Sequence, residues 1–509
     1  VAVLFANAYA NPENESLAAV ALRAMWPNAH VSASSEILPE IREFERFSTT
    51  ALNAYLQPEV SGYIDRLDAA LRAGGFGSEF LIVQSNGGVM GVDTACRLPV
   101  RTALSGPAAG VIAAAHIATQ AGLPDVITGD MGGTSFDVSL IAGGLSMLAP
   151  ETSVDFGMTV RMPMIEITTI GAGGGSIAWV DKGGLLNIGP ESAGSTPGPV
   201  AYGQGNTRPT VTDANVVLGR IDADNPIGGK LDRLDVEAAR AAIATHVGAP
   251  LGLDPVQAAE AILRVANSRM AGAIRLVSIE RGFDPKRFAF MPFGGGGALH
   301  TGAMLDDVGL ARAIVPRYPG VTSALGCVIA DMRHDFVQTL NATVATLDTD
   351  ALGRFMQDHA DQGAAMLDSA ATRFEGRQVQ FALDMAYLGQ THTVPVPLDV
   401  TIAEDGTITP PSAQQVSAAF ETAYFAAYGR LLPGGVQRVM NLRSAVIGQR
   451  PKFDLATLAP EGGSVDGAYK GSRPVHFGDS WHDTALYDRL SLPVGAEVRG
   501  PAILEQPDT

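Results

Sequence analysis

The segment Val126-Ile-Thr-Gly-Asp130-Met-Gly-Gly-Thr134-Ser-Phe-Asp137-Val-Ser-Leu-Ile141 decides the fold, because its pattern predicts two short strands joined by a glycine-rich turn. The first strand is expected over Val126–Thr128 and the second over Phe136–Ile141. Two glycines at a hairpin tip let the backbone approach a ligand closely, and the tip N–H groups can cradle phosphate oxygens. The segment therefore predicts a phosphate-binding hairpin. An ordinary tight hairpin with solvent-exposed acids is the alternative.

The polar residues of this hairpin suit phosphate and metal binding. Asp130 follows the first strand, where it is placed to hold Mg²⁺ directly or through water, since that cation prefers carboxylate and phosphate oxygens. Period-two alternation in the second strand points Asp137 to the face opposite its apolar neighbours. We expect Asp130, Thr134 and Asp137 to be catalytic, with Asp130 as the metal ligand. The residues expected to bind the nucleotide phosphates are Gly132, Gly133, Thr134 and Ser135.

A second glycine cluster, Phe293-Gly294-Gly295-Gly296-Gly297-Ala-Leu-His300, lies between a predicted strand over 288–293 and a predicted helix over 298–307. Four glycines leave a flat backbone surface and an open helix N-terminus, which suits a nucleotide. We expect Gly294, Gly295, Gly296 and Gly297 to contact it, and a flexible connector is the alternative. The spacing is not G-x-G-x-x-G and no P-loop motif occurs, which disfavours Rossmann and P-loop proteins.

Two further features leave alternatives open. Gly171-Ala-Gly-Gly-Gly-Ser176 precedes a predicted strand rather than a helix, which again disfavours a dinucleotide fingerprint. The loop over 189–203 is long and rich in Gly and Pro, and it either wraps a ligand or partner or packs on the surface. The nine histidines form no local metal motif. The three-residue spacing of Asp331 and His334 would place both on one face of a helix, but two ligands do not make a metal site. His300, beside the second glycine cluster, is either a functional residue or, as is more usual for a histidine at a helix start, a cap or an exposed polar group.

Composition narrows the class of protein. The 509 residues include 53 acidic and 35 basic side chains, for a formal net charge of −18. This balance argues against nucleic acid or an anionic membrane as the main partner. The two cysteines are far apart in sequence, which predicts a reducing cytoplasm. No run approaches the ~20 apolar residues of a membrane span. We therefore expect a soluble cytoplasmic protein.

The pattern of predicted strands, turns and helices along the sequence divides the chain into three regions. Residues 1–80 have the pattern of an α/β lobe, and residues 81–334 alternate short strands, glycine turns and helices. Residues 335–509 predict an α+β module whose end, from about 450, is rich in short strands. Apolar strand patterns stand at both ends of the sequence, so we expect a fragment of a longer protein, with its first lobe incomplete and its last module truncated.

Taken together, the ordered motifs resemble the A subunit of the hydantoinase/oxoprolinase family. The resemblance covers nearly the whole chain and is specific at the level of the family. The matching segments are Gln84–Gly88, Leu104–Gly110, Asp130–Asp137, Gly171–Ser176, Arg208–Asn215, Phe293–Gly297, Ser323–Gly326, Tyr387–Gln390 and Asn441–Arg443.

The resemblance implies a fold and a nucleotide. The family includes ATP-dependent N-methylhydantoinases, 5-oxoprolinases, lactamases and related subunits of acetone and acetophenone carboxylases. It resembles the actin, sugar-kinase and heat-shock-chaperone ATPases, which implies an α/β, actin-like fold of two lobes with a C-terminal α+β module. By that likeness Asp130–Thr134 is the second phosphate loop and Gly294–Gly297 the adenosine loop. Gly106–Gly110 resembles the segment linking the lobes.

The implied activity is ATP-dependent ring opening of a cyclic amide such as a hydantoin, 5-oxoproline or a lactam. Phosphorylation of the amide oxygen would create a better leaving group, with ATP and Mg²⁺ bound by this A-type subunit and a B-type subunit as partner. An ATP-dependent ketone carboxylase subunit is the alternative, and a non-catalytic nucleotide-binding scaffold is a third class. The family normally begins with another Asp-x-Gly-Gly-Thr hairpin, which this sequence lacks. We therefore expect this chain to be inactive without that segment and its partner.

Overall fold

The structure, a computed structural model, describes residues 1–153, 157–460 and 462–509 and shows a mixed α/β fold. The strands of these ranges are β1 (Ala2–Val3), β2 (Ser32–Ala33), β3 (Leu81–Val83), β4 (Val89–Gly91), β5 (Val126–Met131), β6 (Phe136–Ala142), β7 (Leu145–Ser146), β8 (Leu148–Ser153), β9 (Thr159–Ile165), β10 (Thr168–Ile170), β11 (Ser176–Val180), β12 (Leu186–Ser192), β13 (Ala289–Phe293), β14 (Arg312–Ala313), β15 (Met332–Thr343), β16 (Gly376–Tyr387), β17 (Val394–Leu398), β18 (Thr401–Ile402), β19 (Ile408–Thr409), β20 (Gln437–Gln449), β21 (Tyr469–Phe477), β22 (Ser480–Asp488) and β23 (Ala502–Glu505).

The helices follow the same chain order. They are α1 (Glu13–Met25), α2 (Ser34–Ile37), α3 (Glu43–Ala73), α4 (Val92–Arg97), α5 (Ser105–Gln120), α6 (Val211–Val217), α7 (Val236–Ile243), α8 (Ala249–Leu251), α9 (Pro255–Ser278), α10 (Thr301–Val308), α11 (Thr322–Ile329), α12 (Thr349–Ser369), α13 (Ala413–Tyr428) and α14 (Val465–Ala468). Among the helices of the described ranges, none is long and apolar enough to cross a membrane.

The chain folds into two compact units, each assembled from separated stretches. The first unit contains Val1–Ser105, Leu148–Met164 and Ile329–Lys452, and the second contains Gly106–Met147, Ile165–Val328 and Phe453–Thr509. These boundaries differ from the sequential division at residues 80 and 334. The difference arises because strands pair across long sequence distances, as when Met332 of β15 lies beside Val89 of β4.

The first unit is built on a six-stranded sheet of order β17-β16-β20-β15-β4-β3. Helices α12 and α13 contribute Leu352, Met356 and Phe420 to the same apolar cluster as Leu383 and Leu442 of the sheet. Both helices begin at side-chain caps. Asp348 accepts the N–H of Ala351 at the start of α12, and Ser412 forms a capping box with Gln415 at the start of α13.

The second unit contains a sheet of order β10-β6-β5-β13-β14 with a different helix on each face. Successive residues of a strand point to opposite faces, so one set of β5 and β13 side chains meets α9 and the other meets α5. Ile127 and Phe290 lie in the cluster that contains the apolar stripe of α9. Val126 and Met291 lie in the cluster of α5. Burial on both faces explains why these short strands have near-continuous apolar sequences.

One interpretation of the local sequence does not hold in the structure. Asp331 and His334 share no helical face, because His334 lies within β15, a twelve-residue strand paired with β20. An i,i+3 spacing carries a helical meaning only if a helix forms, and here strand pairing decides the conformation.

Candidate functional site

Strand pairing in the second unit brings the two predicted nucleotide-binding segments together. In the antiparallel pair β5–β6, Asp130 lies directly opposite Asp137. Strand β13 runs parallel to β5 on its other side, with Phe293 opposite Asp130. The carboxyl ends of parallel strands meet at one edge of a sheet, so Gly294–Gly297 begins beside the hairpin tip. The structure thus gathers the residues that the sequence pattern selected.

The hairpin tip exposes backbone donors. Gly132, Gly133 and Thr134 are exposed, and the turn is closed by the Gly132 N–H donating to the Ser135 carbonyl at 3.1 Å. Within the described ranges, the N–H groups of Gly133 and Thr134 donate to no protein atom. Adjacent backbone N–H groups without an internal acceptor form a ready site for anionic oxygens.

The Gly171–Gly175 segment braces the tip from the carbonyl side. The Gly174 N–H donates to the Gly132 carbonyl at 3.0 Å, and the Gly175 N–H donates to the Gly133 carbonyl at 2.6 Å. A Cβ on Gly173 would lie 2.6 Å from the backbone N of Thr134, so only glycine fits there. Sequence reasoning did not assign this support role, although four glycines between two strands were the available signal for close backbone approach.

The second glycine loop wraps the end of β5. Gly294 has φ +78°, and a Cβ there would meet the Asp130 carboxylate and lie 2.5 Å from the Met131 carbonyl oxygen. The Gly296 N–H donates to that same carbonyl at 3.2 Å. Gly294 is therefore required both by its left-handed backbone and by the space that Asp130 occupies.

Asp130 is half-buried, and the pKa of its carboxyl is raised from 3.8 to about 6. Burial is the main cause, the charge of Asp137 adds to it, and a hydrogen bond from the Ser323 hydroxyl opposes it. The alternative of solvent-exposed acids in this hairpin does not hold for Asp130, because Asp130 belongs to β5 and the second glycine loop packs against its carboxylate. The role of Ser323 was also missed, although its segment was among the family-like motifs.

Asp137 shares the environment of Asp130. Burial raises the pKa of its carboxyl. Hydrogen bonds donated by the hydroxyl groups of Thr169 at 2.6 Å and Ser135 at 3.3 Å oppose the rise. Directly opposed residues of an antiparallel pair lie on the same face, so the two carboxylates repel each other when both are charged. In the described ranges no group of three or more His, Cys, Asp or Glu forms a metal cluster. Two carboxylates suit Mg²⁺, which usually takes its other ligands from phosphate and water.

The raised pKa of Asp130 predicts a pH-dependent stability. The pKa of Asp130 is about 6 in the folded protein and 3.8 in the unfolded chain, so the folded protein binds a proton at Asp130 more tightly. Protonation of Asp130 therefore stabilises the fold fully below about pH 4, and this contribution to the free energy of unfolding is lost as the pH rises through about 6. Asp130→Asn should therefore stabilise the metal-free, nucleotide-free protein at neutral pH by about 2 kcal/mol and have little effect near pH 4. Urea unfolding of both proteins across this range tests it, and a difference that does not change with pH would contradict it.

His300 lies at the N-cap position of α10, but its side chain forms no capping hydrogen bond and is not exposed. It is 3 % exposed, its Nδ1 lies 2.6 Å from Asn267 Oδ1, and burial together with the charge of Arg220 lowers its pKa to about 4.

The 189–203 loop is fixed by contacts within the protein, because buried Asp213 accepts hydrogen bonds from the N–H groups of Val200 and Ala201 at 3.1 and 2.8 Å. These contacts favour the packed-loop interpretation of that segment.

Two family models match the sequence: Hydantoinase/oxoprolinase over residues 46–336 and the Hydantoinase/oxoprolinase C-terminal domain over residues 343–509. The chain belongs to the hydantoinase/oxoprolinase family, which confirms the resemblance seen in its motifs.

Several relatives span the whole chain. It is 34% identical to caprolactamase subunit alpha of Pseudomonas jessenii over 100% of its own length and 73% of that protein. It is also 34% identical to the acetophenone carboxylase gamma subunit of Aromatoleum aromaticum, over 98% of this chain and 69% of that one. With the 5-oxoprolinase of Saccharomyces cerevisiae it shares 27% identity, over 99% of this chain and 39% of that protein.

Two solved structures share the fold. The ATP-dependent caprolactamase from Pseudomonas jessenii has a TM-score of 0.82 and 33% identity, covering 99% of this chain and 72% of that one. The nucleotide-free structure of acetone carboxylase, titled for its ATP-dependent carboxylation, has a TM-score of 0.77 and 26% identity, covering 100% of this chain and 73% of that one. The relatives therefore include both lactam-directed and ketone-directed enzymes.

Proposed function

We propose that the second unit binds ATP and that the chain supplies the phosphorylating subunit of an enzyme that opens a cyclic amide. The observation that carries the proposal is the pair of unpartnered N–H groups at Gly133 and Thr134, next to the opposed carboxylates of Asp130 and Asp137. These groups combine phosphate donors with oxygen ligands for a divalent cation. The ATP dependence of the caprolactamase relative supports the same assignment.

We propose further that the chain has the two-lobed plan of the actin-like ATPases. Asp130–Thr134 then acts as the second phosphate loop, and Gly294–Gly297 acts as the adenosine loop. The segment Gly106–Gly110, at the start of α5, stands where the second unit begins in sequence, as expected of a segment that links two lobes. Support for this plan comes from the parallel pairing of β5 and β13, which places both loops at one sheet edge.

In the proposed reaction the amide oxygen attacks the γ-phosphorus of ATP, and ADP leaves. The resulting phosphorylated imidate is a better electrophile at carbon than the amide. Addition of two water molecules over the later steps breaks the C–N bond, with the ring nitrogen taking a proton, and yields phosphate together with an amino acid from a lactam or an N-carbamoyl amino acid from a hydantoin. Magnesium, when bound, neutralises phosphate charge. The chain's own contribution is to position phosphate oxygens with the Gly133 and Thr134 N–H groups and to present the negative carboxylate of Asp130 to the metal.

The partner and location are proposals of the same kind. The names of the relatives mark them as subunits, which supports a hetero-oligomer with a B-type subunit that completes ring opening. Since the sequence lacks a first Asp-x-Gly-Gly-Thr hairpin, we propose that the chain alone turns over ATP poorly. A cytoplasmic location is supported by Cys96 and Cys327, which are both free thiols.

Substrate-stimulated ATP turnover tests the proposal. The chain should be assayed alone and with its B-type partner, in the presence of hydantoin, 5-oxoproline or ε-caprolactam. We expect one of these amides to raise ADP release by about tenfold or more in the complex and little in the isolated chain. Light scattering should show a complex larger than the 52.9 kDa chain. Rapid turnover by the monomer, or a complex that no amide stimulates, would contradict the proposal.

A ketone carboxylase subunit is the second candidate. The identity to the acetophenone carboxylase gamma subunit equals that to the caprolactamase subunit, at 34% each. Both activities would use the same phosphate-binding loops. Stimulation of ATP turnover by acetone or acetophenone only when bicarbonate is present would favour the carboxylase. No stimulation by any amide or ketone would favour the nucleotide-binding scaffold.

A further inference from the structure

A cavity of about 660 Å³ lies within the first unit and is formed by residues of that unit alone. Its volume falls in the range of small-molecule sites. Apolar side chains such as Leu38, Met162, Phe381 and Leu398 form much of its wall. The Gln84–Asn86 part of the Gln84–Gly88 motif also lines it, and the proposed nucleotide site does not use this motif.

Three of the four arginines that line the cavity are matched by carboxylates. Arg333 donates Nε and Nη2 to Asp335 at 3.0 and 2.8 Å. Arg161 pairs with Glu40 at 2.6 Å, and Arg443 pairs with both Glu40 and Asp384. These cations are therefore neutralised by the protein itself.

Arg101 is the exception among them. Its Nη2 donates to the Asp335 carbonyl at 3.3 Å, and within the described ranges no carboxylate oxygen lies within 4.0 Å of its guanidinium nitrogens. Burial lowers the pKa of Arg101, the more distant negative charge of Asp335 opposes that effect, and the charge of Arg97 adds to it. Asp399, the remaining acid of the lining, is exposed and forms no ion pair with the described residues. Arg101 thus offers hydrogen-bond donors and a positive charge to an oxygen acceptor.

Gln84 supplies the complementary group. It is 1 % exposed, and its Nε2 donates to the carbonyls of Arg333 at 2.8 Å and Val89 at 3.3 Å, which fixes the orientation of the amide. Its Oε1 is buried and has no donor among the described residues. The next residue, Ser85, donates its N–H to the Arg101 carbonyl at 2.8 Å, so the two groups belong to adjoining backbone. A buried acceptor without a donor is costly and calls for a partner.

We propose that this cavity binds a secondary amide on an apolar ring, whose N–H donates to Gln84 Oε1 and whose oxygen accepts a hydrogen bond from the Arg101 guanidinium. An amide that also carries a carboxylate is preferred, because it neutralises the unpaired guanidinium. The identification of this amide as the substrate of ring opening rests on the proposed function, whereas its binding does not.

Calorimetric titration of the nucleotide-free chain with three matched ring compounds tests the site. 5-Oxoproline has both the N–H and the carboxylate, 2-pyrrolidinone has the N–H alone, and N-methyl-2-pyrrolidinone has neither. We expect affinity to fall in that order, by about tenfold at each step. The ligand is altered rather than Gln84, because substitution of Gln84 would leave two carbonyls without their donor.

Arg101→Met should weaken 5-oxoproline binding by about tenfold or more and remove its advantage over 2-pyrrolidinone. Arg101→Lys should keep that advantage in part. Arg97→Met removes a neighbouring positive charge from an exposed residue that does not line the cavity, and it should leave the affinity order unchanged. Equal binding of the three compounds, no binding of any, or an unchanged preference in a folded Arg101→Met protein would overturn the proposal.

Titration with Mg-ATP separates this proposal from the proposed function. Arg101→Met should leave nucleotide affinity unchanged, and Asp130→Asn should leave the amide series unchanged. If the amide series holds while Asp130→Asn binds and turns over nucleotide normally, the nucleotide assignment fails and the cavity assignment stands. The converse result overturns the cavity assignment alone.

Discussion

Asp130→Asn should slow Mg-ATP turnover of the complete complex by about a hundredfold or more. The substitution keeps the size of the side chain and removes a charge that would face the metal and the transferring phosphate. Asparagine also fits the half-buried position at the end of β5, so the protein should remain folded. Initial rates of ADP release, measured beside thermal melting of the same samples, provide the test.

Asp137→Asn is the matched control for that experiment. Asp137 lies opposite Asp130 on the paired strand, and its carboxylate accepts hydrogen bonds from Thr169 and Ser135. Its loss should reduce turnover less, by about tenfold, because these hydroxyls already occupy part of its accepting capacity. Near-normal turnover in Asp130→Asn, or equal losses in the two variants, would show that Asp130 lacks the special role assigned to it.

Gly294→Ala should damage both the fold and nucleotide binding. A Cβ at this residue requires an alanine at φ +78° and would collide with the Asp130 carboxylate and the Met131 carbonyl. The strained backbone alone costs on the order of 1–2 kcal/mol, and displacement of Asp130 should weaken Mg-ATP binding by about a hundredfold. Urea unfolding and calorimetric titration measure the two effects separately.

Gly295→Ala is the adjacent control. A Cβ on Gly295 meets no atom within 4 Å, so the variant should be as stable as the parent protein. If the nucleotide approaches this backbone closely, as proposed for the adenosine loop, affinity should fall without any loss of stability. Equal stability and equal affinity in both glycine variants would argue against the loop as a nucleotide contact.

The hairpin was predictable from sequence because its local signals agree. Apolar alternation gives the strands β5 and β6, and paired glycines mark the turn between them. The long helix α9 was equally predictable, since Asp254, Pro255 and Gln257 form its capping box and first turn. Motif order was sufficient to identify the family.

Features that depend on distant pairing were not predictable in this way. The composition of the two units follows from contacts such as β15 with β4, for which the local pattern carries no signal. The burial of Asp130 and His300 depends on packing by the glycine loop and α9. The sequence next to each residue carries no signal of that packing, so exposed side chains were among the interpretations it allowed. The support that Gly174 and Gly175 give to the hairpin likewise appears only once the chain has folded.

A crystal structure of the chain with Mg²⁺ and a non-hydrolysable ATP analogue tests the central claim most directly. The account predicts phosphate oxygens within hydrogen-bonding distance of the Gly133 and Thr134 N–H groups, the metal at Asp130, and the nucleoside against Gly294–Gly297. Phosphates bound at any other part of the chain, with the hairpin tip left free, would contradict it.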